Sequence, residues 1–116
     1  MPHDKLEILL HRFCTAATAH HEALEAMDEE RANSHARMVT GLYRAIQAEG
    51  PAGQAGLLDN VSPVVAGMAA VYSLEANPEI CLVTLRRVAR EPGLLGFRAS
   101  VAIERWETGT WEHPGT

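Results

Sequence analysis

Two proline-containing breaks divide the region 61–106 into three apolar segments, and this pattern constrains the fold more than any other feature of the sequence. The segments are residues 61–74, 78–90 and 94–106, separated at Asn77-Pro78 and Pro92-Gly93. Proline suits the first turn of a helix and Pro-Gly cannot continue one, so each break ends one helix and begins the next. Apolar side chains cover more than half of the circumference of the first two segments. We therefore predict helices that lie between other helices, with small residues such as Gly67 allowing a neighbouring backbone to come close.

An amphipathic hairpin is predicted before this block. Residues 5–28 carry apolar side chains at helical spacing, with Asp4 as the candidate N-cap, and a second helix is expected to open at Asn33 or Ser34 and to end before Gly50. Residues 50–60 are rich in glycine and alanine, which favours a loop with one short helical turn around residues 54–58. The two long helices are expected to run antiparallel.

No stretch alternates between apolar and polar residues in the manner of a strand, so the sequence predicts an all-α protein. Short helices joined by tight turns favour a right-handed α-α superhelix of armadillo/HEAT type with about five to six helices, rather than an up-down four-helix bundle. The 116 residues suffice for one domain. We divide it into a hairpin at residues 1–49, a three-helix block at 59–109 and a tail at 110–116, which should fray unless Trp111 anchors it.

Composition narrows the functional class by exclusion. A formal net charge of −5 argues against nucleic-acid binding, which usually requires a basic surface. No apolar run approaches the length of a membrane span, and the N-terminus lacks the layout of a signal peptide, so we expect no membrane association and a cytoplasmic location. Cys14 and Cys81 lie far apart among apolar neighbours, which is typical of reduced packing thiols.

The first helix carries a polar stripe with residues at intervals of three and four. Its members are Glu7, His11, Cys14, Thr18, His21, Glu25 and Asp28. Histidine, cysteine and glutamate are metal ligands, but helical rise separates His11 from His21 by about 15 Å, so one ion could not bind both. A metal site would need a second helix or subunit. We interpret the stripe as a solvated face and predict no metal and no cofactor.

Two charged clusters and one tryptophan are candidate partner-binding groups. The acidic cluster comprises Glu22, Glu25, Asp28 and Glu29, the basic cluster comprises Arg86, Arg87 and Arg90, and Trp111 lies in the polar tail. Arg98 and Arg105 could join the basic cluster in holding a phosphate or carboxylate. Arginines also complement the carbonyl end of a helix, which is the simpler interpretation of the basic cluster. Among the aromatic residues, Phe97 and Trp106 are expected to pack the last helix onto the others, and Tyr43 and Tyr72 to lie in the core with hydroxyls that reach the surface.

The region 60–111 resembles a family of small bacterial proteins of unknown function with an armadillo/HEAT-like α-α superhelix. The resemblance rests on GLLGF at 93–97, on ERW at 104–106 followed by Thr108-Gly109, and on the Asn-Pro helix start. The central helix of that family has the form P-x-V-R-x-x-A, and here Ala66 stands where the arginine would fall. Any role of that arginine therefore does not carry over. The resemblance implies the superhelical fold and no catalytic residues.

The sequence contains no nucleophile elbow, catalytic triad context or phosphate loop, so we predict that the protein is not an enzyme. The leading hypothesis is a protein–protein interaction module, monomeric or homodimeric, whose partner is another protein. In one version it is an antitoxin-like or immunity-like protein that covers a basic partner with residues 22–30. The alternative is a metal-binding or small-ligand-binding helical protein that uses the first-helix stripe. A deep pocket lined by Arg86, Arg90 or the histidines would favour that alternative.

Overall fold

The computed structural model describes residues 3–115, with side chains from Lys5 onward, and within this range the chain forms six α-helices and no strand. The helices are α1 (His3–Glu25), α2 (Glu29–Ala48), α3 (Pro51–Leu58), α4 (Pro63–Ser73), α5 (Pro78–Val88) and α6 (Gly93–Glu107). The prediction of an all-α protein with about six helices is confirmed. The right-handed superhelical arrangement stays a prediction.

Helix α4 occupies the centre of the fold. It packs against α1, α3, α5 and α6, and its buried residues are Val65, Ala66, Gly67, Ala69, Ala70, Tyr72 and Ser73. The predicted central position of this segment is therefore confirmed. The helix begins at Pro63, because Ser62 acts as N-cap and its Oγ accepts a hydrogen bond from the Val65 N–H at 3.4 Å. Val61, which precedes the cap, is fully exposed.

Helix α5 lies between α4 and α6, as predicted. A Cβ atom built on Gly67 would lie 3.3 Å from Cγ1 of Val88, so the absence of a side chain on α4 lets α5 approach closely. The outer face of α5 is less buried than its apolar pattern suggests, since Ile80 and Val83 are 60% and 65% exposed.

Helices α1 and α2 form the predicted antiparallel hairpin. Lys5 Nζ, near the start of α1, lies 3.3 Å from Oε2 of Glu49, at the end of α2, while residues 26–28 connect the two helices at the other end. The predicted start of α2 at Asn33 or Ser34 is wrong, because Asp28 caps the helix earlier by accepting a hydrogen bond from the Arg31 N–H at 3.1 Å. Asp4, the predicted N-cap of α1, lies inside a helix that already includes His3, and its side chain is outside the described part of the chain.

The segment between the hairpin and α4 is more helical than predicted. Helix α3 runs from Pro51 to Leu58 and buries Leu57 and Leu58. One hydrophobic cluster receives side chains from every helix, among them Phe13, Val39, Leu57, Val65, Leu85 and Ala99. The hairpin and the following helices therefore share this core.

The C-terminal tail folds back onto the helices. Trp111 packs edge-on against Trp106, with ring centroids 5.8 Å apart, and the His113 ring nitrogen Nε2 lies 3.1 Å from the carbonyl oxygen of Tyr72. Trp106 packs against the core as expected. Phe97 is 65% exposed, so its predicted packing role is wrong. Tyr43 is a core residue, but its hydroxyl bonds to Ser73 inside the protein rather than reaching the surface.

Candidate ligand-binding pocket

A pocket of ≈ 380 Å³ opens between α1, α4, α5, α6 and the C-terminal tail. Its apolar walls include Val64, Met68 and Val71 from α4, Leu95, Phe97 and Ala102 from α6, and Trp111 from the tail. Its charged or titratable lining residues are His20, His21, Arg98, Arg105 and Glu112. The exposed ring of Phe97 thus has a place in the structure as part of a pocket wall.

Helical spacing places these side chains on the same faces. Val64, Met68 and Val71 follow one another at intervals of four and three along α4, so they form one apolar stripe. Arg98 and Arg105 are seven residues apart on α6, two turns along the same side, with Ala102 between them. The pocket therefore has an apolar wall from α4, and its wall from α6 carries two guanidinium groups.

His20 is the most enclosed polar residue of the pocket. It is 8% exposed, and its Nδ1 atom is buried without a hydrogen-bond partner. Burial lowers its pKa to about 4, with smaller contributions from the charge of Arg98 and from His21 and His35. At neutral pH the ring is therefore uncharged, with one nitrogen that donates and one that accepts.

Arg98 carries a fixed positive charge on the wall from α6. Burial lowers the pKa of its guanidinium, although the residue as a whole is exposed. No hydrogen-bond acceptor or carboxylate of residues 5–115 pairs with this guanidinium. A partly desolvated charge without a counter-charge favours the binding of an anion.

The residues of the polar stripe on α1 lie in different environments. His21 Nε2 lies 3.3 Å from Oε1 of Glu25, and Cys14 Sγ accepts a weak hydrogen bond from Asn60 Nδ2 at 3.7 Å. Burial raises the pKa of the Cys14 thiol, which keeps it protonated at neutral pH. Within the described residues no group of three histidine, cysteine, aspartate or glutamate side chains is placed to hold a metal ion.

Two residues of the acidic cluster predicted from the sequence have structural roles within the protein. Asp28 caps α2, and Glu25 pairs with His21. Glu22 and Glu29 are exposed, and neither lines the pocket. The role of the acidic cluster in partner binding stays a prediction.

The basic cluster also lies away from the pocket. Arg87 Nη2 donates to the carbonyl of Leu58 at 3.3 Å, so it satisfies a terminal carbonyl of α3. Arg86 and Arg90 are exposed outside the pocket, whereas Arg98 and Arg105 line it. Of the predicted partner-binding residues, Trp111 alone lies in the pocket.

Sequence reasoning missed the importance of His20. Phe13, Ala17 and His20 follow at intervals of four and three, and this spacing places the histidine on the buried face of α1. A titratable residue at a position of the apolar face is the sequence signal that could have indicated a buried histidine.

Comparisons with known proteins leave the family undetermined. No family model matches the chain, and neither does any curated protein or solved structure. The resemblance to the superhelical bacterial family therefore stays a prediction. None of the helices in residues 3–115 is both long enough and apolar enough to span a membrane.

Proposed function

We propose that this protein is a non-enzymatic binding protein for a small, largely apolar molecule, which it holds in the pocket between α1, α4, α6 and the tail. The observation that carries the proposal is a pocket of ≈ 380 Å³ with mostly apolar walls, whose lining brings together His20, Arg98 and Arg105. Ligand sites are typically concave and mostly apolar, with a few polar groups that orient the ligand.

The size of the pocket limits the ligand. Its volume of ≈ 380 Å³ lies near the lower end of the usual range of about 300–1,000 Å³ for ligand sites. Because one water molecule takes about 30 Å³ of the liquid, this space corresponds to roughly a dozen non-hydrogen atoms. A medium-length aliphatic chain or a single substituted ring fits this limit.

The lining of the pocket supports binding rather than catalysis. Efficient general acid or base groups have a pKa near the working pH, whereas the pKa of His20 is lowered to about 4. Among the described residues, the pocket lining includes no serine, cysteine, threonine or lysine that could act as a nucleophile. Within residues 5–115, Glu112 is the one carboxylate in the lining, and no second carboxylate of that range forms a pair with it for acid–base chemistry.

The small-ligand alternative predicted from the sequence used the polar stripe on α1, whereas the proposed site uses a different set of residues. The polar groups come from His20, Arg98 and Arg105 rather than from the whole stripe on α1. The protein-interaction module, its antitoxin-like version and a cytoplasmic location stay predictions, and the described contacts of the acidic cluster give them no added support.

Tryptophan fluorescence tests the proposal directly. A Trp106→Phe variant keeps Trp111 as the single tryptophan, and Trp111 lines the pocket. Titration of this variant with 1-octanol and with octanoate should change its emission in a saturable manner. If neither compound produces a saturable change, and calorimetry on the unmodified chain detects no binding, the proposal is wrong.

A pair of matched substitutions locates the binding site. Ala102→Phe places a ring on the pocket wall and should weaken binding at least tenfold, whereas Ala55→Phe adds the same ring at an exposed position of α3 outside the pocket and should not. Equal affinities in the two variants would place the bound molecule elsewhere.

A further inference from the structure

The chemistry of the pocket also indicates which polar group the ligand carries, and this step rests on the proposed function. We infer that the ligand is a monocarboxylate, whose carboxylate group is bound by the guanidinium of Arg98 and the imidazole of His20 while its apolar body lies along α4 and Trp111.

Arg98 contributes a positive charge that favours an anionic ligand. Its guanidinium is partly desolvated, and within residues 5–115 it has neither an ion-pair nor a hydrogen-bond partner. An alcohol or an amide in the pocket would leave that charge uncompensated. A carboxylate would neutralise it and match the planar fork of N–H donors with two oxygens.

The ring of His20 lines the pocket, and burial lowers its pKa to about 4, so the ring is neutral at neutral pH. A neutral imidazole has a single N–H, which can donate to an anionic oxygen without adding a second full charge. A carboxylate only accepts hydrogen bonds, so it is complementary to a guanidinium combined with a donating imidazole.

The net charge of the lining favours a single negative charge on the ligand. Arg98 and Arg105 contribute two positive charges and Glu112 one negative charge, while His20 is neutral. His21 pairs with Glu25, so in its charged form it is balanced by a carboxylate. The sum of one positive charge matches a carboxylate better than a phosphate monoester, which carries between one and a half and two negative charges at neutral pH by analogy with phosphorylated side chains.

The apolar part of the ligand is defined by the wall from α4. Val64, Met68 and Val71 form a continuous stripe on α4, and Trp111 closes the pocket from the tail. A chain of about eight carbons with its carboxylate fits the space of roughly a dozen non-hydrogen atoms. Octanoate is therefore the appropriate probe.

The test is calorimetric titration of the full chain with octanoate, 1-octanol and octyl phosphate, which share one apolar chain and differ in the polar end. We expect octanoate to bind at least tenfold more tightly than 1-octanol and more tightly than octyl phosphate. Arg98→Gln should weaken octanoate binding about 10- to 100-fold and leave 1-octanol binding nearly unchanged. Arg12→Gln, which removes an exposed arginine outside the pocket, should bind like the unmodified chain.

Isotope-labelled octanoate provides a measurement that requires no substitution. In complex with the unmodified protein, the ¹³C chemical shift of the carboxyl carbon should titrate at lower pH than in free octanoate, because Arg98 stabilises the ionised form. This chemical-shift titration tests the carboxylate assignment even if the Arg98→Gln variant does not fold.

The outcomes separate this inference from the proposed function. If octanoate and 1-octanol bind the unmodified chain with equal affinity, and Ala102→Phe weakens the binding of both, the carboxylate assignment is overturned and the pocket remains a ligand site. Tighter binding of octyl phosphate would overturn the single-charge assignment in the same way. If none of the three compounds binds, both the carboxylate assignment and the proposed function fail.

Discussion

The hydroxyl oxygen of Tyr43 lies 2.5 Å from Oγ of Ser73 in the middle of the core, where α2 meets α4. Gln54 Nε2 donates to the same Tyr43 oxygen at 2.7 Å, so the tyrosine hydrogen is available for Ser73. Tyr43 and Ser73 are 2% and 1% exposed. One chain of hydrogen bonds therefore joins α2, α3 and α4 inside an apolar cluster.

We expect this buried pair to be coupled energetically. Tyr43→Phe should lower the free energy of unfolding by about 1–2 kcal/mol, since it leaves buried polar groups on Ser73 and Gln54 without a partner. Ser73→Ala should cost about 1 kcal/mol. The double variant should be more stable than the sum of the two losses by about 1 kcal/mol, measured by urea unfolding. Strictly additive losses would show that the two hydroxyls do not stabilise each other.

Two glycine substitutions should act in opposite directions. A Cβ atom on Gly96 would lie 1.8 Å from the carbonyl oxygen of Glu91, so Gly96→Ala forces the start of α6 away from the preceding turn and should cost about 3 kcal/mol. Gly41→Ala, on α2, meets no atom within 4 Å and should stabilise by up to about 1 kcal/mol through helix propensity. Thermal unfolding followed by circular dichroism measures both. A stable Gly96→Ala variant would contradict the close contact.

The helix starts that could be predicted from the sequence are signalled by residues within one helical turn. Pro63 and Pro78 begin α4 and α5, because proline at the first helical position acts through its own ring and its missing N–H. The all-round apolar character of α4 likewise predicts burial without knowledge of its partners.

The features that could not be predicted from the sequence depend on tertiary contacts. Arg90 and Arg98 are identical in type and close in the chain, but only Arg98 lies on α6, which packs against α5 and α4 and contributes to the pocket lining. Phe97 is apolar and exposed because it borders that pocket. The turn between α1 and α2 contains neither glycine nor proline, so its position was missed and the start of α2 was placed too late.

That turn contains a strained residue whose replacement should stabilise the protein. Met27 has φ 57°, a left-handed conformation that a methionine rarely adopts, and it is 91% exposed. The hydrogen bonds from Asp28 N to Ala23 O and from Met27 N to Leu24 O form the helix-ending motif that normally uses glycine at this position.

Met27→Gly should therefore raise stability by about 1 kcal/mol and the melting temperature by about 4 °C, because strain is relieved and almost no packing is lost. Met38→Gly is the matched control. Met38 is 53% exposed but lies within α2, where glycine should cost about 1 kcal/mol. A loss of stability in both variants would mean that the turn imposes no strain on Met27.

The buried neutral state of His20 should make stability depend on pH. Its pKa in the folded protein is about 4, below the ordinary value of 6.5, so between these values the unfolded chain binds more protons than the folded one. The stability conferred by keeping the ring neutral is complete above pH 6.5 and is lost as the pH falls toward 4. The loss should be about 2 kcal/mol, less than the full linkage value because the ring lines a pocket that water can enter.

Urea unfolding at several pH values from 7 to 4 measures this dependence, and the comparison of variants isolates His20 from the carboxylates that titrate in the same range. His20→Gln removes the titrating ring, so the free energy of unfolding should fall less steeply between pH 6.5 and 4 than in the unmodified protein. If the His20→Gln and unmodified profiles have the same slope, the His20 ring is accessible to protons in the folded state, and the enclosed site that the pocket argument requires is not formed in solution.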